Sequence, residues 1–131
     1  MERQTISTGT TWEENVGYSR AVRVGPHVWV AGTTALDERG QVVGEGDAYA
    51  QAAYILQKIG KALEQTGTSL NDVVRTRIFV TDVADCGAVG RAHGEVFGSI
   101  RPASTMLAVS ALVSPEMLVE IEADAFVGER S

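Results

Sequence analysis

The sequence predicts an α+β fold, a six-stranded sheet with two helices packed on one of its faces. Two observations carry that prediction. Strand-like and helix-like segments follow one another as three strands, helix, strand, helix and two strands. The apolar residues also change period, recurring at helical spacing after Asp47 and at every second position in the last strand. A chain of 131 residues, 44% hydrophobic and 21% charged, fills one hydrophobic core and not two, so a single domain over residues 1–131 is expected.

Taken in order, Arg3 to Thr8 reads as a short edge strand and the polar stretch Thr10 to Gly17 as a loop. Ala21 to Val24 and His27 to Thr33 are β-rich runs separated only by Gly25 and Pro26, the signature of a hairpin. Asp37 to Gly40 is a second turn. Asp47 is placed to cap a long helix, because its carboxylate can accept from backbone amides one turn in. Ala52, Ile55, Leu56, Ile59 and Leu63 form the apolar face of that helix, and Gly67 ends it. Val73 to Thr81 is dense in β-branched and aromatic residues and reads as a strand. Asp82 can cap a second helix whose apolar face holds Val83, Cys86, Val89, His93, Val96 and Phe97. Gly87, Gly90 and Gly94 each cost that helix about 1 kcal/mol relative to alanine, which is usual where a backbone approaches a sheet closely. Ala103 to Ser110 and Leu118 to Val127 complete the sheet, joined by a loop holding Pro115.

Composition narrows the function. Eleven Lys and Arg against 17 Asp and Glu leave a formal charge of −6, and only Lys58 and Lys61 are lysines. Binding nucleic acid takes a positive stripe that displaces phosphate counterions, and the sequence has none. The single cysteine, Cys86, has no intrachain disulfide partner. With only His27 and His93 beside it, no C-x-x-C or H-E-x-x-H motif exists to hold a metal. The Gly-rich phosphate-binding motifs and the G-x-S-x-G elbow are also absent, so no metal or other cofactor is expected. The N-terminus shows no basic segment followed by an apolar stretch, and no window approaches the length of a membrane span. A cytoplasmic protein without membrane contact is therefore expected.

The last strand carries the candidate chemistry. Period-two alternation puts Glu120, Glu122 and Asp124 on one face and Val119, Ile121, Ala123, Ala125 and Val127 on the other. Three acids in a row repel, and Arg75 and Arg77, two apart on the strand Val73 to Thr81, can neutralise Glu122 and Asp124 if the strands are neighbours. Glu120, near one strand end, can instead orient a water or act as general base. Ser104, Met106, Ala108 and Ser110 share one side of the penultimate strand. Arg101 precedes Pro102, whose ring favours extended backbone at the arginine, and an arginine held there can grip a carboxylate or simply be solvated. His93 reads as a hydrogen-bonded core or interface histidine and Cys86 as packing.

From Gly17 to Val127 the chain resembles the RidA (YjgF) family of imine and enamine deaminases. The resemblance runs through Tyr18 to Gly25, Val30 to Thr33, Asp72 to Val80, Arg101 to Ser104 and Val119 to Ala123. It implies a chorismate-mutase-like fold of the bacillus type, with a six-stranded mixed sheet, and a homotrimer with a small-molecule cleft at each subunit interface. It also implies that Glu120 positions the attacking water and that Tyr18, Ala31 and Gly32 line the cleft. In this family an arginine in a P-A-R-S segment grips the substrate carboxylate. Here Ser104 takes that place and Met106 replaces the small or thiol residue after it. Ala31 stands where many members have serine, and Gly90 where many have asparagine. The expected function is a RidA-like trimer acting on imines or enamines other than the usual 2-iminoacids, with Ser104 and Arg101 recognising a polar group of the substrate. A non-catalytic ligand-binding or regulatory trimer is the alternative, and the endoribonuclease or translation-inhibitor activity attached to some members fits the acidic charge least.

Overall fold

The computed structural model describes residues 2–128. Its elements are β1 (Arg3–Ile6), α1 (Thr11–Val16), β2 (Ala21–Val24), β3 (His27–Thr33), α2 (Ala48–Gln65), β4 (Val73–Val80), α3 (Cys86–Phe97), β5 (Ala103–Ala108) and β6 (Val119–Phe126), with short 3-10 turns before β4 and α3. The sheet order is β1-β2-β3-β6-β4-β5. All neighbours are antiparallel except β4 and β5, which makes the sheet mixed.

Helices α2 and α3 cover one face. Ile55, Leu56, Ile59 and Leu63 of α2 pack with Val89 and Phe97 of α3 onto Val28, Val30, Ile78, Val80, Ile121 and Ala123 of the sheet, and all are buried. The alternation read in the last strand holds, since Val119, Ile121, Ala123 and Ala125 are buried and the acids between them face away from the helices. The helix boundaries follow from their caps. Asp47 accepts from the Ala50 amide at 3.0 Å, and the chain leaves α2 through Thr66 and the left-handed Gly67.

One buried polar side chain ties the layers together. Gln51, fully buried on α2, donates to the carbonyls of Gly44 and Glu116 at 3.2 and 3.0 Å and accepts from the Leu118 amide at 2.9 Å. It fixes the loop that delivers β6 into the sheet.

Three expectations need correction. The stretch from Thr10 to Gly17 is not a loop: Thr11–Val16 forms a helix, capped by the Thr10 hydroxyl, which accepts from the Glu13 amide at 3.2 Å, and closed by Gly17 at φ 85°. Hydrophobic periodicity cannot reveal so short a helix, although Thr10 followed three residues later by Glu13 is a cap signal. The glycines of α3 do not mark a close approach to the sheet, because a Cβ at Gly87 or Gly94 would meet nothing within 4 Å and one at Gly90 would only touch Met106 at 3.9 Å. Arg101 is not extended before Pro102. Its φ is 56°, and its amide closes the turn after α3 by donating to the Phe97 carbonyl at 2.8 Å. That hydrogen bond offsets a left-handed conformation that costs a non-glycine residue about 1–2 kcal/mol.

The replacement Gln51→Leu is predicted to lower unfolding stability by roughly 1–3 kcal/mol in urea titrations, because it removes the partner of the Leu118 amide and of the Glu116 carbonyl, while the Gly44 carbonyl keeps the Asp47 amide at 2.9 Å.

Candidate functional site

Glu120 lies on β6 opposite Phe79 of β4, on the face turned away from the helices. On its other side β3 is irregular between Val30 and Thr33, and Gly32 sits in that irregularity. The glycine is what admits the carboxylate: a Cβ at Gly32 would stand 2.3 Å from Glu120 Oε2 and 3.1 Å from its Cδ. Arg20 reaches the same glycine, donating from Nη2 to the Gly32 carbonyl at 2.7 Å. Its guanidinium lies 5.6 Å from the centre of the Tyr18 ring. The Arg20 Nε is buried and makes no hydrogen bond among the described residues.

These neighbours set the electrostatics. Burial pushes the Glu120 carboxyl above its ordinary pKa, the charge of Arg20 opposes that rise, and Glu122 adds to it. Glu122 and Asp124 differ, because Arg77 reaches both at 3.2 Å. Arg75, which follows an irregularity after Val73, makes no ion pair among the described residues. Of the two expected arginines, then, Arg77 alone neutralises the strand's acids. Glu13 is buried beside the same region. Burial pushes its carboxyl up, but hydrogen bonds from Thr8 and Ser7 and the charge of Arg20 outweigh this and hold it below the ordinary value. Lys58 donates to the Thr34 carbonyl at 2.9 Å, and burial with the Arg20 charge brings its pKa down to about 8.

Tyr18 and Ala31 line an open cleft of about 510 Å³, together with Gly17, Ser19, Glu13 and Glu14. Gly32 and Glu120 do not line this cleft; Arg20, which lies over the Tyr18 ring and donates to the Gly32 carbonyl, links them to it. The remaining expected residues do not join them. Ser104 pairs with Thr76 across the parallel β4–β5 ladder and accepts a hydrogen bond from the Thr76 hydroxyl at 2.9 Å, on the helix-covered face of the sheet. Met106 shares that face and packs on the core beside Gly90. Strands β6 and β5 lie two strand spacings apart, about 10 Å. With their side chains on opposite faces, no small molecule touches Glu120 and Ser104 of the same chain. Arg101 is exposed, and its side chain makes no hydrogen bond or ion pair among the described residues.

Arg20 lies within the Tyr18 to Gly25 segment, and the sequence alone assigns it no role. The available signal was its place directly before β2, next to Tyr18. Among the described residues no group of three His, Cys, Asp or Glu side chains is arranged to hold a metal ion.

Fold and site together define a chorismate-mutase-like α+β protein with a half-buried carboxylate beside a small cleft. Residues 10–127 match the Endoribonuclease L-PSP family. The chain is 39% identical over 110 residues to the 3-aminoacrylate deaminase RutC of Acinetobacter baylyi, covering 84% of this chain and 86% of that protein. It superposes on Rv2704 of Mycobacterium tuberculosis, a member of the YjgF/YER057c/UK114 family, with a TM-score of 0.87 and 49% identity over 96% of this chain and all of that one. With RidA from an Antarctic Psychrobacter the TM-score is 0.79 and the identity 30%, over 94% of each chain. The chain belongs to the RidA/YjgF/L-PSP family.

The variant Gly32→Ala is predicted to keep the fold, since the atom it displaces is the end of a flexible side chain, but to move the Glu120 carboxylate. In a carboxyl-carbon NMR titration the Glu120 resonance should then titrate closer to the ordinary glutamate value than in the parent protein.

Proposed function

We propose that the protein is a homotrimer with a small-molecule cleft between each pair of subunits, and that these clefts hydrolyse imine or enamine metabolites. The observation that carries this reading is the Glu120 carboxylate, seated on Gly32 with Arg20 and Tyr18 alongside. In imine hydrolysis water adds across the C=N bond. The carboxylate takes a proton from that water and passes it to the nitrogen, giving a carbinolamine; it then moves the proton of the new hydroxyl to the nitrogen, which leaves as ammonia while the carbon becomes a carbonyl. An enamine enters the same route once it has tautomerised to the imine. The name of the Acinetobacter relative, a 3-aminoacrylate deaminase, belongs to this chemistry.

Two features support a cleft between copies. Glu120 and Ser104 of one chain lie on opposite faces of the sheet, so a ligand that meets both takes them from two chains. The uncovered sheet face also exposes Trp29, Leu107 and Phe126 by 46%, 42% and 43%, and His27 stacks on Trp29 at 5.6 Å. Apolar side chains of this size on one face fit burial against further copies.

Substrate choice follows from Ser104, which stands where the family's P-A-R-S segment has arginine. Replacing a bidentate guanidinium–carboxylate contact with one neutral hydrogen bond forfeits a few kcal/mol, so the usual 2-iminoacids are poor substrates. Met106 suits a more apolar group. The same serine favours the second reading, a trimer that binds a metabolite without turning it over. The formal charge of −6 opposes RNA as the ligand.

The test generates imines in situ with an amino-acid oxidase, or with an amine oxidase for imines lacking a carboxylate, and follows their loss. Glu120→Gln is predicted to reduce turnover at least a hundredfold, in line with loss of a general base. Turnover on 2-iminoacids equal to that of an arginine-bearing relative would contradict the substrate argument. A ligand that raises the melting temperature without being consumed would favour the second reading.

The pH dependence has a definite sign. A carboxyl whose folded pKa lies above its ordinary value ionises later, so the acid limb of the rate profile should fall above the ordinary glutamate value of 4.5. Neutralising Arg20 should push it higher still. The same raised pKa means that the native state gains stability from the protonated carboxyl and loses it as pH rises through the folded pKa. At neutral pH, Glu120→Gln should therefore unfold at a temperature equal to or above that of the parent, and the difference should vanish below the ordinary glutamate pKa.

A further inference from the structure

Beneath edge strand β5 lies a polar chain that the reaction above does not use. Thr76, fully buried on β4, bonds to His93 Nε2 of α3 and to Ser104 Oγ of β5, each at 2.9 Å. The Phe97 ring packs on the imidazole at 4.7 Å. A threonine hydroxyl has one proton, and that of Thr76 goes to Ser104. The second bond of Thr76 must then be accepted from His93, which fixes the neutral imidazole as the Nε2–H tautomer. Burial, which pushes the His93 pKa below the usual histidine value, agrees with a neutral ring. Ser104 is exposed, and its oxygen already accepts from Thr76, so its own proton points outward.

We propose that His93 and Thr76 are positioning residues that set Ser104 as a hydrogen-bond donor, so that the ligand group meeting Ser104 is a neutral carbonyl-type acceptor, as in an amide, ester or ketone. This rests on the reading that Ser104 faces the ligand. The chain has a direction, His93 to Thr76 to Ser104 to ligand, and each hydroxyl that accepts becomes a better donor. A ligand offering only N–H donors at this point would face the Ser104 proton and only one remaining lone pair, and would bind more weakly. A carboxylate would receive one neutral hydrogen bond and no compensating charge.

The experiment has two arms, both on the full-length protein. In the first, nitrogen-15 NMR of the unliganded protein reads the His93 tautomer. The Nε2–H form is expected, and the Nδ1–H form would overturn the proposal, since Thr76 would then donate to His93 and Ser104 would act as acceptor. In the second, acetoacetamide, acetoacetate and n-butylamine serve as carbonyl, carboxylate and donor-only probes, titrated against the backbone amide signals of β5. Acetoacetamide is expected to bind tightest, with affinity falling about tenfold in Thr76→Val and in His93→Phe. Thr76→Ser and His93→Gln, which keep the donors, should restore it. Because Thr76→Val keeps the shape but leaves His93 and Ser104 facing a methyl group, whereas Thr76→Ser keeps the hydroxyl and gives up a methyl, the serine rescue separates polarity from packing and stability.

The outcomes divide the two ideas. If Ser104→Ala weakens acetoacetamide binding while Thr76→Val and His93→Phe do not, the relay is wrong and the cleft reading stands. If Ser104→Ala changes nothing, or acetoacetamide perturbs no β5 signal, Ser104 does not face the ligand and the proposal falls with that part of the reading. Preference for n-butylamine overturns the donor assignment directly.

Discussion

Strand β6 is hydrogen-bonded on both edges, to β3 and to β4, and that position sorts its side chains completely. One face must fill the space under α2 and α3, so Val119, Ile121, Ala123 and Ala125 are buried there. The other face must carry Glu120, Glu122 and Asp124 on a surface that no helix covers. Slipping the register by one residue would bury three carboxylates and expose the apolar set. The core and the placement of the candidate site are therefore consequences of one pairing register, guarded at its entry by the three hydrogen bonds of Gln51.

The three acids then diverge by their neighbours. Arg77 lies between Glu122 and Asp124 and partly neutralises both, at a half-exposed site where such pairs contribute little to stability. Glu120 has no such partner among the described residues. It sits over Gly32, loses water to burial, and feels Arg20, whose own hydrogen bond goes to the glycine carbonyl. A carboxylate kept from full hydration, with a cation near but not bonded to it, holds its proton more readily than a surface glutamate.

The sequence made the strands, the long helix and its cap, the buried face of β6 and the separateness of Glu120 legible, because each depends on periodicity or on one local cap. Helix α1 escaped because six residues carry no period. The conformation of Arg101 escaped because the bond that closes the turn after α3, from its amide to the Phe97 carbonyl, outweighs the preference set by Pro102. Arg20 was visible as a residue but not as a neighbour of Glu120, since the irregularity in β3 that brings Gly32 between them has no signature in the pattern. Ser104 stands beside Thr76 and His93 only through the β4–β5 register, set across a helical crossover, and alternation within either strand does not determine that register. The resemblance gathered all these residues into one cleft, whereas the single chain divides them between two faces of its sheet.

That division makes the composite cleft the central claim, and subunit mixing tests it most directly. Glu120→Gln and Ser104→Trp chains, each inactive alone, would be co-expressed in equal amounts and assayed for imine hydrolysis. If each cleft takes Glu120 from one subunit and Ser104 from the next, random assembly leaves about one quarter of the clefts with both parent residues and restores about one quarter of the parental rate. If both residues serve the same chain's site, every cleft carries a defect, and the mixture would stay as inactive as its components.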